Sequence, residues 1–330
     1  MMLVCQFPAW TLKLITKTHT SLKKLIMALF KINEDQSIDQ IKEKPFKLEK
    51  EIQKIVETNL FKAFNLMLVK SEFALNNFRI DSLAYDQQSK SFVIVEYKND
   101  KSFSVVDQGY AYLSLMLNNK ADFILEYNEN SKDNLKKSDV DWSQSRVIFI
   151  APYFTPYQRE SINFKDLPIE LWEVKRYDNN TLSLEKIKTT GSTESIKTIS
   201  KQNSNIENVS KEIKAYKEED HVKYGSEEIR ELYFRFKEAI TNLGEMEIKP
   251  LQDYIGFKAN TNFVDIEIYK KSLKLHINLK KGELDDPKGI ARDMIKKGHA
   301  GNGDYEIKVQ DDENLEYIID LISQSYHKHS

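Results

Sequence analysis

Apolar residues recur at helical spacing within residues 46–69. Leu48, Ile52, Ile55, Val56, Leu60 and Phe64 predict that this segment opens with an amphipathic helix. Two β-rich runs follow, FRIDSLAYD at 78–86 and SFVIVEYK at 91–98, separated by the polar, turn-forming DQQSKS. Residues 105–117 (VVDQGYAYLSLML) predict a helix, and ADFILEY (121–127) and RVIFIAP (146–152) predict further buried strands. PIELWEVKRY (168–177) reads as an edge strand. These segments make residues 34–185 one mixed α/β unit.

The pattern changes near Lys186. Residues 186–226 are dominated by Lys, Ser, Thr, Asn and Glu, which predicts a flexible polar linker with room for one polar helix. Residues 227–330 predict an accessory α+β domain. It opens with the helix EEIRELYFRFKEAITNL and continues with the strands DYIGFK, FVDIEIY and LKLHINL. In the last of these, Leu273, Leu275, Ile277 and Leu279 alternate with Lys274, His276, Asn278 and Lys280, which predicts one buried face and one wet, basic face. A short helix (GIARDMIKKG), a strand (YEIKV) and a closing helix (NLEYIIDLISQSY) complete the unit, and no repeat relates it to the first.

Charge narrows the functional classes. Lys and Arg total 49 against 51 acids, so nucleic-acid binding would have to come from a local patch. One cysteine, Cys5, excludes a disulfide framework and a cysteine-based zinc site and fits a reducing cytoplasm. Neither GxxxxGK nor a strand-following GxGxxG occurs, which disfavours nucleotide-cradling folds. No run approaches the roughly 20 apolar residues of a membrane span. Residues 1–33 hold five lysines and no acid. They read as a dispensable extension with Met27 as the natural start, or as a membrane-surface helix.

The hairpin carries the candidate chemistry. With its turn centred between Gln88 and Ser89, opposing residue numbers sum to 177, so Asp81 faces Glu96 and Arg79 faces Lys98. Alternation puts Asp81, Leu83, Ile94, Glu96 and Lys98 on one face. Facing carboxylates repel, and burying one unpaired costs several kcal/mol, so a compensating cation is expected. A divalent ion with oxygen ligands meets that need, with Lys98 one pleat away. The contrary reading makes Glu96 and Lys98 a solvated edge pair. VIVEYK is too apolar for that, and the register gives Glu96 an acid as its partner.

An acid on one strand and Glu96-Tyr97-Lys98 on the next resemble the PD-(D/E)xK nuclease superfamily, with Ile80 standing where the motif has Pro. Gln108 and Tyr112 match the QxxxY of its RecB-type and NucS-like branch. Leu48-Glu49 match that branch's helical Glu, and RVIFIAP looks like its sheet-closing strand. The resemblance spans about residues 46–177. It implies a restriction-endonuclease-like α/β fold, a mixed sheet flanked by helices, followed here by the smaller α+β domain. It also implies Mg²⁺ or Mn²⁺ held by Asp81, Glu96, the Tyr97 carbonyl and Glu49, with Lys98 orienting or helping to deprotonate the attacking water. Glu51 and Glu57 rival Glu49. Gln108 and Tyr112 would contact the DNA backbone or brace the site, and Arg79 would contact nucleic acid.

The expectation is therefore a cytoplasmic, metal-dependent nuclease acting on DNA, with RNA and a homodimer both allowed and the C-terminal domain selecting substrate or partner. One rival is a non-catalytic nucleic-acid-binding module that keeps the fold. Another makes the basic strand Lys274–Lys281 the main binding face. His327 and His329 read as a solvated end, and residues 298–305 (GHAGNGDY) as a Gly-rich loop or an anion nest.

Overall fold

The computed structural model describes residues 28–100, 103–164, 166–189, 194–195, 204–295 and 301–330. Residues 1–27, 190–193 and 196–203, and residues 298–300 of the Gly-rich loop, lie outside that set. A small hairpin, β1 (Leu29–Ile32) and β2 (Ile38–Ile41), precedes the first helices, α1 (Glu49–Thr58) and α2 (Leu60–Phe64).

The first large sheet follows as β3 (Met67–Leu75), β4 (Phe78–Asp86), β5 (Ser91–Tyr97), β6 (Arg146–Ala151), β7 (Ile169–Arg176) and β8 (Leu182–Lys186), side by side in that order. β3, β4 and β5 are antiparallel, β6 and β7 continue parallel to β5, and β8 returns antiparallel. The sheet is mixed, as the pattern predicts. The parallel steps need crossovers, supplied by α3 (Val105–Asn118) with α4 (Lys120–Asn130), and by α5 (Pro156–Ser161).

Alternation along the central strands builds two cores. Leu83, Tyr85, Phe92, Ile94, Val147 and Phe149 face α3 and α4, whereas Ala84, Val93, Val95, Tyr97, Ile148 and Ile150 face α1 with its Ile52 and Val56. β5 is buried at every position, which explains its continuous apolar reading.

The structure corrects several sequence expectations. Residues 121–127 are helical: Phe123 and Tyr127, one turn apart, bury among Phe73, Tyr85 and Phe92, while Leu125 between them is 57 % exposed. A three-residue apolar run mimics a strand, but side chains four apart meet the core only on a helix. β7 is not an edge, because β8 covers it, and β3 forms the edge on the other side. The helix expected within residues 186–226 is present as α6 (Ser204–Glu212), but it is not simply solvated: Ile206, Val209 and Ile213 are buried in the first core beside α3.

After α7 (Glu218–Val222) and α8 (Glu227–Thr241) comes the second sheet. Its strands are β9 (Glu247–Pro250), β10 (Ile255–Lys258), β11 (Asn262–Tyr269), β12 (Ser272–Ile277), β13 (Arg292–Asp293) and β14 (Tyr305–Val309), ordered β13-β14-β12-β11-β10-β9 and antiparallel throughout. α8 and α9 (Leu315–His329) pack on it around a separate core. Residues 289–295 form turns and the two-residue β13, not a helix.

The outer face of β12 is only partly wet, with Lys274 half-buried and its charge paired. His276 is fully buried with Nε2 2.6 Å from Glu267 Oε1, and Lys274 lies 3.4 Å from Glu306. His329 is likewise tied down: its Nε2 lies 2.7 Å from the Asn278 carbonyl and its Nδ1 meets Thr261. Among the described residues no helix is long and apolar enough to cross a membrane.

Candidate active site

The β4–β5 ladder has the expected register, Asp86 opposite Ser91 through Ser82 opposite Val95. It ends there, one pair short of the two acids. Asp81 turns one carboxylate oxygen, Oδ2, to accept the Tyr97 N–H at 3.0 Å. The ladder does not extend to an Arg79–Lys98 pair. Arg79 opposes Ala74 on β3, and its guanidinium pairs with Glu72 at the surface.

Glu96 is only 3 % exposed on the central strand. Its Oε1 accepts from Lys98 Nζ at 2.7 Å and from Gln108 Nε2 at 2.9 Å. Its Oε2 is buried with no hydrogen-bond partner among the described residues. A buried carboxylate oxygen without a donor is costly, so the described side chains alone leave Glu96 incompletely satisfied. Burial first, then the facing Glu96, pushes the Asp81 carboxyl up to about 6, against the Tyr97 amide and Lys98, which pull it down. Burial also opposes the Lys98 charge. The Glu96 hydrogen bond and the charges of Glu96, Asp81 and Glu49 outweigh it and raise the lysine's pKa. Lys98 is thus an ammonium, suited to stabilising negative charge rather than to taking a proton.

α3 presents Gln108 to Glu96 because the helix lies close on the sheet. A Cβ at Gly109 would sit 2.5 Å from Ile169 Cδ1, so glycine sets that approach. Gln108 Nε2 also donates to the Tyr112 hydroxyl at 3.2 Å, and Tyr112 donates to the Arg79 carbonyl at 3.4 Å. Burial, then Glu96, holds the Tyr112 hydroxyl protonated. The pair therefore braces the site from α3.

Of the three glutamates considered on α1, none joins Asp81 and Glu96. Glu49 Oε1 accepts the Asn99 N–H at 2.9 Å, just past the Glu-x-Lys, near enough to act on the Lys98 charge. Glu51 pairs with Arg176 at 3.1 Å. Glu57 accepts from Ser82 at 2.6 Å, and Ser82 points to the opposite face from Asp81. No group of three metal-binding side chains forms among the described residues. The nearest donor set is two carboxylates and the Tyr97 carbonyl at the strand end.

Sequence reasoning missed Gln53. It is 4 % exposed on α1, and its Nε2 donates to the Asp81 carbonyl at 3.0 Å, to Glu57 and to Ser71. A glutamine on the apolar stripe of an amphipathic helix was the available signal, since a buried amide needs partners.

Residues 218–329 match the model of a domain of unknown function, DUF5655. A Haemophilus influenzae (strain ATCC 51907 / DSM 11121 / KW20 / Rd) protein, described as uncharacterized, is 49 % identical over 289 residues, which covers 87 % of this chain and 96 % of that one. Two solved structures align over smaller parts. A repair endonuclease from Pyrococcus abyssi shares 16 % identity over 40 % of this chain and 50 % of its own, with a TM-score of 0.23. EndoMS, in a complex with dsDNA, shares 14 % over 44 % and 64 %, with a TM-score of 0.27. This chain spans between half and just under two thirds of those proteins.

Proposed function

This chain belongs to the same family as the Haemophilus influenzae protein, and we propose that it is a metal-dependent nuclease that hydrolyses phosphodiester bonds in DNA. The observation that carries this reading is the Glu96 carboxylate: buried on the central strand, held on one oxygen by Lys98 and Gln108, and without a partner on the other among the described residues, beside Asp81. That arrangement costs stability unless a cation completes it. It lies on the strand pair where the Asp…Glu-x-Lys pattern predicts a metal.

The donor set is all oxygen, which suits Mg²⁺ or Mn²⁺. Asp81, Glu96 and the Tyr97 carbonyl would hold the ion, and Glu49, now on the Asn99 amide, would join through a water. When bound, such an ion supplies charge neutralisation and Lewis acidity toward water and the phosphodiester. Lys98, kept charged by its acidic neighbours, orients the attacking water and stabilises the charge that develops on the phosphate. Gln108 and Tyr112 hold Glu96 in place, and Gln53 holds the Asp81 backbone from the other face of the sheet. In this reading residues 34–185 are the catalytic unit and 227–330 select substrate or partner.

The test is cleavage by the purified full chain of plasmid, linear duplex, single-stranded DNA and RNA, in Mg²⁺ or Mn²⁺ and in EDTA. Metal-dependent cleavage of DNA that falls at least about a hundredfold in Lys98→Ala supports the reading. Cleavage that survives EDTA, a Lys98→Ala protein as fast as wild type, or action on RNA alone overturns it.

A further inference from the structure

A second candidate site lies where the two sheets meet, at the turn end of the hairpin. A chamber of about 990 Å³ opens between the α2 side of the first sheet and strands β9 and β10. Its wall brings together Arg146 from β6, Lys186 from β8, Lys249 from β9 and Lys258 from β10. Asp81 and Asp86 mark the two ends of the hairpin. Five residues at ~3.4 Å each put them roughly 17 Å apart.

The lining cations, seven Lys and Arg, outnumber the lining acids Glu170, Glu173, Glu185, Glu245 and Glu247. Arg146 Nη2 pairs with Asp86 at 2.9 Å and its Nε lies 3.3 Å from Glu170. Its Nη1 is buried and has no hydrogen-bond partner among the described residues. Lys186 lies 3.4 Å from Glu170 and 4.0 Å from Glu247. Lys249 and Lys258 form no ion pair with any described carboxylate, although Asp86 and Glu170 contribute to the field around both. Burial, then repulsion from Arg146, lowers the Lys249 pKa to about 8 and lowers that of Lys258. Setting two unpaired ammonium groups beside a guanidinium inside a protein is unfavourable unless an anion is bound there. Phe64 and Trp172, 4.8 Å apart edge to face, line the same chamber and give it an apolar wall.

We propose that this chamber binds a small ligand carrying two or more phosphoryl groups, with Arg146, Lys249 and Lys258 receiving the phosphates. The chamber's volume suits a nucleotide-sized molecule, and planar guanidinium plus paired ammonium groups is a donor set that matches phosphate oxygens. Either a nucleotide or a free diphosphate offers that chemistry. The site is separate from Asp81 and Glu96 and does not depend on nuclease activity.

Calorimetric titration of the full chain in EDTA, at fixed ionic strength, with pyrophosphate, ADP and AMP as probes tests this. Wild type and Lys98→Ala should bind pyrophosphate or ADP alike and AMP at least about tenfold more weakly. Lys249→Gln and Lys258→Gln should each lose at least about tenfold in affinity. ADP binding tighter than pyrophosphate assigns the chamber to a nucleotide, and equal binding assigns it to the diphosphate group. Because Lys249→Gln removes an unpaired buried charge, that variant should melt no lower than wild type in phosphate-free buffer, so lost binding is not lost folding. The proposal is overturned by no binding of pyrophosphate or ADP at millimolar concentration, by binding that Lys98→Ala abolishes, by undiminished binding in both lysine variants, or by a lower melting temperature for Lys249→Gln.

Discussion

Replacing Asp81 with Asn tests the metal site without a substrate. The carboxyl ionises near pH 6 in the folded protein against an ordinary 3.8, so the folded state holds the proton more tightly than the unfolded chain. Ionising it therefore costs stability: the cost is absent below about pH 4, grows as pH rises, and is complete above about pH 6. At about 1.36 kcal/mol per pKa unit the full difference is about 3 kcal/mol. Solvent still reaches Asp81, and screening reduces this to about 1–2 kcal/mol. Asn keeps the volume and can still accept the Tyr97 N–H, while it removes the charge facing Glu96. In EDTA at pH 7.5 the Asn variant should melt higher than wild type by a few degrees, at ~2–4 °C per kcal/mol. The gain should shrink to about a third of that at pH 4.5, between the two pKa values. Mn²⁺ should raise the wild-type melting temperature, by about 2.7 kcal/mol at a hundred times its dissociation constant, and the variant should lose most of that gain. Thermal melts followed by circular dichroism at both pH values read all of this. A variant that melts lower than wild type at pH 7.5 in EDTA, or a wild type indifferent to Mn²⁺, refutes the reasoning.

Gln108→Leu removes one of the two donors on Glu96 Oε1, so kcat should fall about tenfold with KM little changed; an unchanged kcat would show that Lys98 alone fixes the carboxylate. Arg146→Met strands Asp86 and Glu170 without their shared cation and should cost about 3–5 kcal/mol in urea unfolding; a loss under about 1 kcal/mol would mean Lys186 and Lys249 suffice.

The catalytic candidates were legible because they are close in sequence and set on a hairpin. One register, fixed by a short turn, decides which side chains oppose, and the apolar run VIVEYK marks β5 as central before any fold is known. What stayed hidden depends on contacts between distant segments. Residues 121–127 look like a strand until Phe73 and Phe92 are there to receive Phe123. His276 looks solvated until Glu267, one pleat along on β11, meets its Nε2. The polarity of residues 186–226 hides the fact that Ile206, Val209 and Ile213 fall on one stripe that closes over α3.

The two ends of the hairpin are held in different ways. Its open end, where the ladder stops at Ser82 and Val95, leaves Asp81 and Glu96 held by side chains from α1 and α3, which a bound ion can draw together. Its turn end is fastened instead. Asp86 accepts the Gln88 and Ser89 amides and pairs with Arg146, and Tyr254 of the second domain donates to the Gln88 carbonyl at 2.8 Å. The Arg146 that holds this turn also borders the chamber, so an anion there would compete with Asp86 and Glu170 for the same guanidinium. Binding in the chamber and the grip on the hairpin are coupled through that one side chain. The two strands between, buried along their whole paired length, are the rigid element through which such coupling would have to pass.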